Sequence, residues 1–272
     1  MTPCLTLKLR VLLSLGVAVL AGTALIGPAT GASASAVPSH RGTLPPGNPS
    51  ESLPPSPFFL SSCSEGNDGT ACNRLVRAAI THARQRLEKM GGMSFSLSAY
   101  EKLTPDEQLF VTANLERTER GLAPAVVLSR SLDTIAQAGA QSGRDPAIGD
   151  VPGRLPGGGR TAFVGGIWAG GWINPLGADY GWIYHDGPGG DNLACTTARS
   201  RLCWGHRDMI LLRFGAYASC PGQSELVMGA GHTARAAYYG ESDTGILAGV
   251  CGPAPADAVF TWAQAKRLLH IR

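Results

Sequence analysis

Leu226-Val-Met-Gly-Ala-Gly231, Arg235-Ala-Ala-Tyr-Tyr-Gly-Glu241 and Ile246-Leu-Ala-Gly-Val250 decide the fold class. Each run is short and rich in apolar, branched or aromatic residues, and only a few turn residues separate one from the next. A crossover between parallel strands needs a dozen or more residues, usually a helix, and these gaps are too short for one. The three runs therefore read as antiparallel strands. The helical patterns come earlier in the chain. Helices first and strands last give an α+β protein with a small antiparallel sheet, not an alternating α/β fold. The C-terminal stretch Phe260 to Leu269 fits either a strand or a terminal helix.

Upstream, Val76, Ala79, Ile80, Ala83, Leu87 and Met90 recur at helical spacing, which predicts a helix over Asn73 to Met90 ended by Gly91-Gly92. Its arginines, Arg74, Arg77, Arg84 and Arg86, read as a solvated face. Thr104-Pro105-Asp106-Glu107 is a helix start, with Thr104 as cap, Pro105 at the first position and Glu107 completing a capping box. That helix should reach about Arg120, with Gly121 as its stop. Ser131 to Gln141 makes a third helix, striped with Leu132, Ile135, Ala136 and Ala140. Gly139 on that face would allow close packing against a neighbour. Gly149 to Asn192 holds fourteen glycines in 44 residues, a density that disfavours long helices. Within it, Thr161 to Trp168 reads as a strand and residues 179–185 as one or two helical turns. Trp168, Trp172, Trp182, Tyr180 and Tyr184 there serve as loop anchors or as a ligand surface. His206 to Leu212 reads as a short helix.

The first 36 residues read as an address. Lys8 and Arg10 precede the apolar stretch Val11 to Ile26, Pro28 breaks it, and Ala34-Ser35-Ala36 fits small-x-small cleavage. Cleavage is expected after Ala36, with Ala34 second and an uncleaved anchor as the alternative. It removes Cys4, Lys8 and Arg10. Of the chain's 23 basic residues 21 then remain against 20 acidic ones, and six of its seven cysteines. An even number of cysteines in an exported chain reads as three disulfides. Proximity suggests Cys63–Cys72, Cys195–Cys203 and Cys220–Cys251, and the lack of any CxxC pair speaks against a zinc site made of cysteines. Residues 37–62, with seven prolines and six serines, read as a flexible or extended linker, with Phe58-Phe59-Leu60 as the clump that docks it onto the body. Residues 63–103 follow as a helical extension and 104–272 as the main domain. Only 16% of residues are charged, which excludes a basic nucleic-acid-binding face. No later apolar run is long enough for a membrane span. The expectation is a secreted, extracellular monomer with an unknown extracellular ligand.

Most catalytic signatures are absent: no G-x-S-x-G, HExxH, P-loop or strand-linked GxGxxG. Cys203 near His206 suggests a thiol enzyme, but an exported cysteine with five possible partners is expected to be oxidised. The polar cluster His185, Asp186, Asp191, His206 and Asp208 could bind a divalent metal or work as acid and base. Alternatively, Asp186 and Asp191 serve glycine-rich turns and Asp208 faces the positive end of its helix.

Three stretches resemble the CAP superfamily, the SCP-like extracellular domain of cysteine-rich secretory, antigen-five and pathogenesis-related proteins. They are Asn114-Leu-Glu-Arg-Thr-Glu-Arg-Gly-Leu-Ala-Pro124, Leu132 to Ala140, and Cys203-Trp-Gly-His-Arg-Asp-Met-Ile-Leu211. The last resembles the Gly-His-Arg-x-x-Ile-Leu signature and is the most specific. The run Asp179-Tyr-Gly-Trp-Ile-Tyr-His-Asp-Gly187, with Asn192 and Cys195, is similar to bacterial members. The similarity spans roughly 105–250. It implies an α-β-α sandwich and a cavity where two His and two Glu can hold a divalent cation. Only His206 carries over. Gln141 to Asp150 holds no His, Gly165-Gly166-Ile167 stands where a Glu is usual, and the second Glu would fall near Tyr184 or His185, close to Asp186.

The expected function is a non-enzymatic CAP-like domain that binds an extracellular ligand or surface component through His206, His185, Trp182 and Tyr184. It needs no cofactor; the alternative is a divalent cation held by His206, His185 and Asp186. The alternative is a secreted hydrolase of peptide or cell-wall material, using His206 with His185 or Asp186.

Overall fold

The computed structural model describes residues 47–55, 63, 69–213, 220–236 and 238–271. The segment read as a signal, most of the stretch read as a linker and the Phe58-Phe59-Leu60 clump lie outside the described residues. The chain forms α1 (Thr70–Ala83), α2 (Leu97–Tyr100), α3 (Pro105–Thr118), β1 (Ala125–Ser129), α4 (Arg130–Ser142), β2 (Arg160–Gly170), α5 (Pro175–Tyr184), α6 (Gly205–Leu211), β3 (Ser224–Ala236), β4 (Gly240–Cys251), β5 (Ala258–Thr261) and α7 (Trp262–Leu269). The strands make one sheet in the order β2-β4-β3-β1-β5. Three of its pairings are antiparallel, and β1 with β3 is parallel. The fold is thus α+β, a small mixed sheet flanked by helices.

Side-chain alternation along the strands divides the core. Val227, Ile246, Ala248 and Val250 face α4 through Leu132 and Ala136. Leu226, Met228, Ala230 and Leu247 face the opposite way, into a larger core shared with α1, α3, α5, α6 and α7. α4 lies close on β3 because a Cβ at Gly229 would collide with Leu132, and one at Gly231 with Ala136 and Gln137. Gly139 makes the close approach that its place in the stripe suggests, and its neighbour is Pro146, just past the end of α4. Among the described residues, no helix is long and apolar enough to cross a membrane.

Several elements differ from their sequence reading. Arg235 to Glu241 is not a strand of its own. It is the end of β3, a turn, and the start of β4, with Gly240 at φ 67°. The C-terminal stretch is both candidates in succession: β5 runs into α7 through a Thr261–Gln264 capping box. β1 fills a stretch to which no element was assigned, and the Asn114 side chain anchors it. That amide donates to the Ala125 carbonyl (3.0 Å) and accepts from its N–H (2.7 Å), as a neighbouring strand would. The α3 capping box forms as expected, with the Glu107 N–H donating to Thr104 and the Thr104 N–H to Glu107.

The first helix ends in a π turn, Arg84–Glu88, closed by Lys89 in the left-handed region. This turn overturns the reading of Arg84 as solvated. Arg84 is 1% exposed and paired with Glu116 and Glu119. Glu88 is gripped by Arg120 through both oxygens (2.7 and 2.9 Å) and by Arg207 (2.7 Å). The helical extension therefore shares a buried ion network with α3 and α6. Asp179 lies in the same network, where burial and the neighbouring Glu116 push its carboxyl well above the usual carboxylate range.

Residues 47–55 form no regular element and are docked on the body. The Ser52 and Leu53 N–H groups donate to the carbonyls of Pro188 and Tyr184, Ser52 Oγ accepts from the Gly187 N–H, and Tyr180 donates to the Leu53 carbonyl. The disulfides pair as proximity suggests: Cys63–Cys72, Cys195–Cys203 and Cys220–Cys251. The last ties the approach to β3 to the end of β4, which are in register at Ser224 and Cys251.

Candidate ligand cleft

The polar cluster is assembled where α5 ends and α6 begins. Between them runs a loop whose base is closed by Cys195–Cys203 and by Asn192, whose amide donates to the carbonyls of Asp186 (3.1 Å) and Leu202 (2.9 Å). The Trp204 N–H also returns to the Asp186 carbonyl, at 3.1 Å. Gly187 is required here because the Trp204 indole occupies the space a Cβ would need. Asp186 then serves α6 as a cap supplied from a distance. One carboxylate oxygen accepts from the N–H groups of His206 (2.8 Å) and Arg207 (3.3 Å). The other meets His206 Nδ1 at 2.5 Å.

This contact fixes the imidazole. A carboxylate on Nδ1 requires the proton there and leaves Nε2 to face outward. Nε2 is buried, with no hydrogen-bond partner among the described residues. Burial alone would lower the His206 pKa, but Asp186 in contact and Asp145 nearby outweigh it, and the pKa lies above its ordinary 6.5. Asp145 follows α4, and the Gly139–Pro146 approach sets the position of that segment. One of its oxygens is buried without a partner, and burial raises its pKa.

Beside His206 lies a small open cleft, lined by Trp168, Trp172, Trp182, His185, Asp186, Asp191, Asn192 and His206 with adjoining small residues. Its enclosed space, about 30 Å³, holds no more than one or two waters, so a larger group could only rest in its mouth. The Trp182 Nε1 and His185 Nδ1 atoms are also buried there without partners. Trp172 meets the His185 ring edge-on at 6.1 Å. Among the described lining residues there is no serine, threonine or cysteine.

Of the residues singled out from sequence, His206, Asp186, His185 and Trp182 do come together. Tyr184 does not. It is fully buried on the far side of α5, where its hydroxyl donates to Glu116 (2.7 Å) and accepts from Arg120 (3.2 Å). Helical spacing explains this, since Tyr184 lies two residues after Trp182 and so points to a different side of α5. His185 turns its Nε2 toward Asp191 (3.5 Å), not toward His206. His206, His185 and Asp186 therefore do not gather as a metal-ligand set among the described residues, because Asp186 is spent on the α6 N–H groups and on Nδ1. Cys203 is disulfide-bonded and is no free thiol beside His206. Asp145 was missed. Its only sequence signal is a lone acid after a Gly-terminated helix, and its approach to His206 is purely tertiary.

No family model, curated protein or solved structure matches the chain.

Proposed function

We propose that the chain is an exported, disulfide-stapled binding protein of the CAP-like kind, and that the cleft at His206 holds a neutral extracellular ligand by an oxygen acceptor. The observation that carries this reading is the buried, unpartnered Nε2 of His206 beside a carboxylate that favours the protonated ring. A cationic imidazole offers Nε2–H as a donor, and leaving that donor unmade in a buried site costs about 1–3 kcal/mol. Asp145 and Asp186 beside the ring, with Asp191 on the cleft wall, disfavour an anion. The ligand class that suits this is a small neutral oxygen acceptor, such as the N-acyl arm of a sugar, entering at the cleft mouth beside the buried indoles of Trp172 and Trp182. The signal segment, the three disulfides and the CAP-like stretches support export, and His206 is the residue those stretches share with this cleft.

A second reading has one observation behind it. An Asp–His pair at 2.5 Å is the arrangement of a general base that activates water. The raised His206 pKa counts against it, since it shifts the ring away from the base form.

The test is an NMR titration of the full-length, oxidised protein with N-acetylglucosamine and its short oligomers. Shifts centred on Trp172, Trp182 and His206, lost in His206→Ala, are expected. No shift at these residues overturns the ligand class, and turnover of the oligomers abolished by His206→Ala overturns the non-enzymatic reading.

A further inference from the structure

A second histidine site lies on β3 and β4. Their antiparallel register sets His232 directly opposite Asp243. Glu241, two residues before Asp243, is on the same face and diagonal to His232. One ligand atom from each of the three residues lies within 4.8 Å of the other two. The His232 Nδ1 is 3.0 Å from Asp243 Oδ1 and 3.3 Å from Glu241 Oε1. The Glu241 and Asp243 side chains are 2% and 0% exposed, and His232, at 18%, forms the rim. None of the three lines the cleft at His206.

Two features exceed what an ordinary ion pair needs. The first is charge. Asp106, in the first turn of α3, interacts electrostatically with both His232 and Asp243, so one imidazole faces three carboxylates in a largely buried place. Buried carboxylates are costly unless they are protonated, paired or coordinated to a metal. The second is Asp243 Oδ2, a buried oxygen with no hydrogen-bond partner among the described residues. The support around the site is rigid. The His232 N–H donates to the Gln137 side chain (3.0 Å), whose amide donates back to the His232 carbonyl (2.9 Å), so α4 clamps the strand at this residue.

We propose that His232, Glu241 and Asp243 form a binding site for a divalent metal of the zinc type. One imidazole nitrogen with two carboxylate oxygens is a donor set for zinc with a fourth position for water, and it is a poor one for calcium or magnesium, which prefer oxygen alone. Bonds of 2.0–2.1 Å place tetrahedral ligand atoms about 3.3 Å apart. The two nitrogen–oxygen separations above already match that spacing, so a metal can replace the proton on Nδ1 with little movement of the strands.

The experiment is zinc titration of the full-length, oxidised protein, followed by native mass spectrometry and by ¹⁵N NMR of the histidine rings. One zinc ion per chain is expected, with the first ring shift at His232 and with His206 unmoved. His232→Gln and Asp243→Asn should each weaken zinc binding at least tenfold, while His206→Ala leaves it unchanged. Zinc that shifts His206 first, zinc binding indifferent to His232→Gln and Asp243→Asn, or no stoichiometric binding each overturns the proposal. The wild-type ring shifts decide the matter even if both variants fail to fold.

Discussion

His206–Asp186 and His232–Asp243 are the same chemical pair built on opposite kinds of support. The first joins a helix end to a helix start across an irregular loop, and its carboxylate is divided between the ring and two backbone N–H groups. The second is a cross-strand pair held by a continuous ladder and clamped by Gln137. A loop can place an imidazole nitrogen in a cleft with no partner, which suits a ligand. A ladder places several donors around one point, which suits an ion. The loop site also depends on more distant parts of the chain, because Arg207, next to His206, is held by Glu88 from the first helical segment.

That dependence gives the largest expected effect. Glu88→Ala leaves Arg120 and Arg207 buried without their shared carboxylate. Removing one partner of a buried ion pair costs about 3–5 kcal/mol, and urea unfolding should show a loss of that size. Hydrogen exchange should rise first in α6 and the loop before it, with the β3–β4 ladder least affected. Uniform loosening would mean that the two sites do not differ in support.

Opening the Cys195–Cys203 bridge as a double serine variant is the next test. The closed loop is short, and loop-closure entropy puts its contribution at about 2–3 kcal/mol. Faster exchange confined to residues 185–204, with His232 ring signals unchanged, is the expected result.

Much of this contrast was legible in the sequence, but unevenly. The α3 capping box, the three disulfide pairs and the gathering of His206, Asp186, His185 and Trp182 follow from local signals: cap residues, short cysteine separations, and a polar cluster within two dozen residues. Tyr184 was misplaced because residues next to one another on a helix point different ways, and the sequence alone did not reveal which side of α5 is the cleft side. Arg84 was misread because a π turn rotates it inward, and no composition rule marks such a turn. Asp145, and the meeting of His232 with Glu241 and Asp243, depend on register and on the packing of α4. Both arise only when distant segments meet. Acidic residues at period two on one strand, Glu241 and Asp243, opposite a histidine on the next are the pattern that could have been found.

A smaller effect separates the sites by pH. The folded pKa of His206 lies above its unfolded value near 6.5. Its contribution to stability is therefore fully present below about pH 6.5 and is lost as pH rises through the folded pKa. Wild-type stability should fall across that window by more than that of His206→Gln, as measured by urea midpoints. An equal fall in the two would place the pH dependence elsewhere. The smallest expected change is Trp182→Phe. It removes one buried, unpartnered N–H from the cleft wall, a gain of about 1–3 kcal/mol, and it leaves the larger indole's space unfilled, an opposing cost of similar size, so the net change in stability should be small. Any sugar-induced NMR shifts should nevertheless weaken.

The most direct measurement is the pH titration of the His206 ring by ¹⁵N NMR, in wild type and in Asp186→Asn. If Asp186 and Asp145 hold the ring as a cationic Nε2–H donor, the wild-type midpoint lies above 6.5 and drops when Asp186 is neutralised. A wild-type midpoint at or below 6.5, or one unmoved by Asp186→Asn, would contradict the donor role on which the ligand reading rests.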